Sequence, residues 1–273
     1  MSENDDVLIE IIPFIQELIP GIPAALVLFL AKTAFLISIG ALFAFIVFGL
    51  ALHFKRRISA KRYLKNLPVS KDLEKIEPDI RKKLFNLVHQ CVVLGSIIDS
   101  YTNRKSNSKK VSMIVFRLLK DKEPLERILF YAAAMVYDAG YLEFKQSLFH
   151  SEVLSRKEEI FLRTHVARGL FQLDFVPYEY KNIFWEAAFF HHENQNGTGF
   201  PDGLNGEEIP YLARLIHLTE DYVSLVRQDG YKKSLSRKKA LEELKKVSFK
   251  YDPELLLLLE KTLLARKNCN FQN

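Results

Sequence analysis

The chain has 273 residues, 48% of them hydrophobic, and its 39 Lys and Arg against 33 Asp and Glu give a formal charge of +6. That length and apolar content fit a membrane segment plus one domain with a substantial core, with no repeat period or low-complexity tract. Cys91 and Cys269 are too far apart for a close metal-type spacing and read as ordinary thiols. Residues 1–31 begin acidic (Glu3, Asp5, Asp6, Glu10) and turn apolar, but Glu17, Pro13, Pro20 and Pro23 disfavour a straight span. A short extracytoplasmic or interfacial segment is expected there. The apolar run from Thr33 to Phe54 is long enough to cross a bilayer, so residues 32–54 are expected to form a single transmembrane helix. The acidic start, the length of the run and the lack of a small-residue cleavage site favour an uncleaved anchor over a signal peptide. Lys55, Arg56, Arg57, Lys61, Arg62 and Lys65 follow, and this positive-inside bias predicts the N-terminus out and the C-terminal domain in the cytoplasm, at the inner membrane. An anionic leaflet would attract the same cluster, so the basic balance does not argue for nucleic acid as a partner. Residues 55–78, with Pro68 and Pro78, are expected to be a basic connector, and the soluble domain is expected over 79–273.

Beyond Asp79 the apolar residues recur at helical spacing. Ile80, Leu84, Leu87, Val88 and Cys91 form one stripe; Ile128, Ala132 and Val136 a second; Leu212, Ile216, Thr219, Val223 and Val226 a third. The fold class is therefore all-α. Ser155-Arg156-Lys157-Glu158 has the pattern of a capping box, and Asp252-Pro253 opens a Leu-rich final helix. Gly140 stands where a helix over Tyr131–Asp138 should end.

The segment His191-His192-Glu193-Asn194-Gln195-Asn196-Gly197-Thr198-Gly199-Phe200-Pro201-Asp202-Gly203 carries the strongest functional signal. Neighbouring residues on a helix point about 100° apart, so two adjacent imidazoles converge only where the helix stops, and Gly197, Gly199 and Pro201 supply that stop. Polar residues also interrupt the apolar helices at Tyr137-Asp138, Thr164-His165 and Thr219-Glu220-Asp221. Asp138 at the end of an apolar helix calls for a cationic partner or for solvent. His165 alone is compatible with a core-edge histidine.

The order of these pieces, above all His191-His192-Glu193, then Gly197 to Leu204, then Gly206-Glu207-Glu208-Ile209-Pro210, resembles the HD-GYP family over about Ser100 to Leu264. Tyr101-Thr102, Ala213-Arg214-Leu215 and Phe249 to Pro253 also look like landmarks of that family. The resemblance implies a helical HD-superfamily domain, metal-dependent hydrolysis of cyclic di-GMP, and a centre of two or three metals. It places Asp138, His165, His191 and His192 at ligand positions around one ion. A neighbouring ion would want a histidine where Tyr137 stands, an aspartate where Glu220 stands and a histidine near Asn107; the segment from Asn103 to Lys110 holds no histidine. Glu220 remains a weaker ligand candidate. Gly199, Phe200 and Pro201 fall in the ligand-binding motif, with Phe200 in place of the signature tyrosine. Lys232 matches a phosphate-contacting lysine, while Asp229 stands for its arginine, Tyr141 for a lysine and Asn196 for an aspartate.

These departures imply one divalent transition-metal ion, iron or manganese in preference to zinc, because four protein donors would close a zinc site. They also imply weak or absent hydrolysis, with signalling through a cyclic dinucleotide, a second copy of the chain or another partner. An active phosphodiesterase, with one ion or with a second held by Tyr137 and Glu220, and a membrane scaffold without nucleotide stay open as alternatives.

Overall fold

The computed structural model describes residues 66–151, 153–227 and 234–265, together with Pro23. The expected segments 1–31 and 32–54, the basic stretch through Lys65, and Asp229, Lys232 and Cys269 lie outside the described residues, apart from Pro23. Among the described residues no helix is long and apolar enough to cross a membrane.

The described chain is helical: α1 (Ser70–Leu73), α2 (Pro78–Tyr101), α3 (Asn107–Leu118), α4 (Pro124–Val136), α5 (Arg156–Arg163), α6 (His165–Arg168), α7 (Lys181–Phe190), α8 (Tyr211–Val226), α9 (Arg237–Lys246) and α10 (Pro253–Leu264). Short 3-10 turns join several of them, including Ala139–Glu143 directly after α4. The lone β contact among the described residues is an antiparallel bridge between Asn196 and Asn205.

Helix α4 is the hub. Ile128, Leu129, Tyr131 and every residue from Ala132 to Val136 are buried, as a helix apolar on all sides must be. It packs against α1, α2, α3 and α7, while α8 closes the other side against α3, α7, α9 and α10. Of the expected α2 stripe, Leu84, Leu87, Val88 and Cys91 are buried, whereas Ile80, on the first turn, is 40% exposed. The Ser155–Glu158 capping box is present in both directions, and Asp252 caps α10 through the amides of Glu254 and Leu255.

Two expectations change. The core begins before Asp79: Leu67, Val69 and Leu73 are buried in it, and buried Asp72 pairs with Arg127 on the first turn of α4 at 2.8 Å. The Pro-flanked charged stretch therefore includes a docked helical turn, Ser70–Leu73. The helix expected over Tyr131–Asp138 also ends two residues early, so Gly140 does not stand at its end. Helix α4 stops at Val136, and Gly140 lies within the following 3-10 turn, where a Cβ would sit 1.9 Å from the His165 carbonyl oxygen. The glycine is there because two backbones touch.

Candidate metal centre

Three helix ends deliver the site. Asp138 follows the end of α4, His165 is the first residue of α6, and His191 and His192 directly follow α7, where helical hydrogen bonding ceases. One donor atom from each of Asp138, His165, His191 and His192 lies within 4.8 Å of the others. The close contact of Gly140 with the His165 backbone sets the approach of α6 to the end of α4.

Hydrogen bonds fix the protonation of two of these imidazoles. His165 Nδ1 lies 2.7 Å from the Leu162 carbonyl, and His191 Nδ1 lies 3.1 and 3.0 Å from those of Ala187 and Ala188. A carbonyl oxygen only accepts, so both rings carry their proton on Nδ1 and turn an Nε2 lone pair inward. The two Nε2 atoms face each other at 3.2 Å, and Asp138 Oδ1 lies 3.5 and 3.4 Å from them. That oxygen is buried without a hydrogen-bond donor. Three acceptors converging with no proton among them suit a cation, and the backbone carbonyls behind the rings are the outer support that metal-bound histidines use. The donor set fits a divalent transition-metal ion.

The other oxygen of Asp138 has a different partner. Arg104 Nη2 donates to Asp138 Oδ2 at 2.6 Å and Arg104 Nη1 donates to Glu220 Oε1 at 3.2 Å. Burial would raise the Asp138 carboxyl, but the Arg104 guanidinium outweighs it and holds it well below the usual carboxylate range. Burial and the Asp138 charge push Glu220 up to about 8 against the pull of Arg104. Glu220 is thus outside the four converging donors and engaged by the guanidinium. Tyr137 is also outside them: its hydroxyl accepts from Asn107 Nδ2 at 2.9 Å, and burial together with Asp138 and Glu220 raises it well above the ordinary tyrosine value, so it is a neutral phenol. Arg227 in turn donates to Asn107 Oδ1.

The glycine-rich segment is tied to the same turn. Glu193, 1% exposed, accepts from the amides of Asp202 and Gly203 at 2.7 and 3.0 Å. The Phe200 amide donates to the His192 carbonyl at 3.2 Å, and its ring stacks on the His192 imidazole at 4.7 Å. Gly199 is required by contact: a Cβ there would fall 2.3 Å from the Asn194 amide and 2.5 Å from the His192 carbonyl oxygen. Pro201 is exposed at the rim. On the opposite flank Tyr141 stacks on His165 at 4.1 Å. Sequence reasoning missed Arg104 and the tethering role of Glu193. A lone arginine in a short interhelix segment has no spacing signature, whereas Glu193 is at least adjacent to the ligand pair.

Acid should dismantle the metal-free centre. Burial lowers His191, and burial with the charges of His191 and His165 lowers His192 well below the ordinary value. In the unfolded chain both titrate near 6.5. Below that pH the unfolded state takes up protons that the folded centre refuses, so stability present above 6.5 is lost as pH falls. Urea unfolding of the metal-free protein at pH 7.5 and 5.5 should show a loss on the order of 1 kcal/mol. A His191→Ala His192→Ala chain with the same acid dependence would show that these imidazoles are not its source.

The HD domain family matches residues 93–255. A cyclic di-GMP phosphodiesterase of Thermotoga maritima is 24% identical over 74% of this chain and 57% of its own length. The 3'3'-cGAMP-specific phosphodiesterase 3 of Vibrio cholerae is 27% identical over 64% of this chain and 39% of its own. The chain thus spans less than two thirds of the length of either relative. A solved HDG"Y"P protein from Bdellovibrio bacteriovorus aligns with a TM-score of 0.47 and 16% identity, over 71% of this chain and 77% of that one.

Proposed function

The chain belongs to the HD domain family, and from that premise we propose that it is an HD-GYP-type signalling domain that binds one divalent ion and, at that ion, a cyclic dinucleotide, with slow or absent hydrolysis. The observation that carries the reading is the convergence of His165 Nε2, His191 Nε2 and Asp138 Oδ1, three acceptors with no donor of their own. The names of the two relatives, both cyclic-dinucleotide phosphodiesterases, support the ligand class.

A bound ion would acidify water and polarise a phosphoryl oxygen. The residues of this chain do the rest. Backbone carbonyls pin the His165 and His191 rings so that their Nε2 atoms stay unprotonated. Asp138 supplies the negative charge that balances the ion. The rings of Tyr141 and Phe200 cover His165 and His192 and reduce their access to water. Hydrolysis is slow in this reading because Tyr137, neutral and hydrogen-bonded to Asn107, is no ligand, and Glu220 is engaged by Arg104. With four donors from the chain, iron or manganese retains open positions for water and phosphate, whereas a tetrahedral zinc ion would be closed. Anchoring through residues 32–54, with the domain on the cytoplasmic side, belongs to the same proposal and rests on the sequence pattern.

The test uses the full-length chain in detergent, loaded anaerobically with iron or separately with manganese, with the His191→Ala His192→Ala chain as control. The expected result is one equivalent of metal, calorimetric binding of cyclic di-GMP or 3'3'-cGAMP that vanishes in the control, and little turnover. Rapid turnover lost in the control would replace this reading by an active enzyme. A folded chain taking neither metal nor nucleotide would leave a scaffold.

A further inference from the structure

We infer that the guanidinium of Arg104 occupies the position of a second metal ion, so that the centre pairs one exchangeable ion with one fixed organic cation. This rests on the metal-centre reading above. In two-metal sites the ions lie about 3.5–4 Å apart and act together on the oxygens of a phosphoryl group. Asp138 is arranged to join two cations: Oδ1 faces the Nε2 atoms of His165 and His191 at 3.5 and 3.4 Å, while Oδ2 accepts from Arg104 at 2.6 Å. The second carboxylate of the centre, Glu220, accepts from the same guanidinium at 3.2 Å.

The arginine is built into this place. Each of its three guanidinium nitrogens donates, Nε to Thr102 Oγ1 at 3.2 Å, Nη1 to Glu220 and Nη2 to Asp138, and its Cζ lies 4.9 Å from the centre of the Tyr141 ring. Its side chain is 18% exposed, against 1% for Asp138. The short segment that carries it turns through two left-handed residues, Asn103 at φ 55° and Ser106 at φ 56°, which hold Arg104 between α2 and α3. A guanidinium cannot be deprotonated at these sites and offers a planar fork of donors, so it balances the Asp138 charge permanently, donates to Glu220 as well, and repels a second divalent ion from the same volume. A phosphate ester bound at the ion then has a cationic neighbour that binds oxygen but cannot activate water, which separates ligand recognition from hydrolysis.

The experiment is a manganese titration of the full-length chain in detergent, read by elemental analysis and by electron paramagnetic resonance. The wild-type chain and R104K should each take up one equivalent with the six-line signal of an isolated ion. R104H exchanges the cation for an imidazole facing Asp138 and Glu220, and should take up two equivalents with the spectrum of an exchange-coupled pair. Two coupled ions in the wild type, or one ion in folded R104H, would overturn the inference. If R104H does not fold, the wild-type count and spectrum decide the question alone. A wild-type chain that binds no manganese sinks the metal-centre reading itself, and this inference with it.

Discussion

Asp138→Ala is expected to abolish metal binding and to destabilise the metal-free domain by about 3 kcal/mol, the lower end of the cost of leaving a buried ion without its partner. Both halves follow from one carboxylate with two duties. Its Oδ1 is the anionic member of the donor set, so its loss leaves three neutral imidazoles to hold a divalent ion. Its Oδ2 is the nearer anionic partner of Arg104, at 2.6 Å, and the guanidinium retains Glu220 at 3.2 Å, which keeps the penalty from rising further. Chemical denaturation of metal-free protein reads the stability, and elemental analysis after reconstitution reads the metal. Wild-type metal content in the variant would remove Asp138 from the centre.

Gly140→Ala should damage the site without touching a ligand side chain. The added methyl would lie 1.9 Å from the His165 carbonyl oxygen and 2.7 Å from the Gly169 amide nitrogen. Both are backbone atoms, so no rotamer change relieves the overlap, and the 3-10 turn and α6 must separate. Overpacking of this kind costs about 1–3 kcal/mol, and here the upper end applies. Because α6 begins with His165, the separation also moves a ligand away from the other three. The expected outcome is a lower melting temperature together with metal affinity reduced at least tenfold, measured by competition with a chelator at a temperature where the variant remains folded. Wild-type affinity in the folded variant would show that the contact serves packing alone.

The helical class was legible because burial on one face leaves a periodic trace, clear in Leu84, Leu87, Val88 and Cys91. Paired histidines before a glycine-rich turn were legible for a similar reason: consecutive residues share a ligand point only at a helix end. Asp138 and His165 gained meaning from order along the chain more than from their own surroundings. Arg104 left no such trace. Its partners are 34 and 116 residues away, and a long side chain reaches them from a turn shaped by the left-handed residues Asn103 and Ser106, which residue types alone do not announce. The early start of the core was hidden because Leu67, Val69 and Leu73 are too few, and too near Pro68, to display a period.

The pairing of Asp72 with Arg127 makes α4 a strut with something fastened at each end. Arg127 lies on its first turn, and Asp138 lies two residues beyond its last. Thirteen residues of helix are a rod of about 20 Å, closely packed along its length. The turn Ser70–Leu73 and the Asp138 carboxylate therefore stand at opposite ends of one buried helix. The same helix that carries Arg127 at its start ends two residues before the carboxylate that faces His165 and His191.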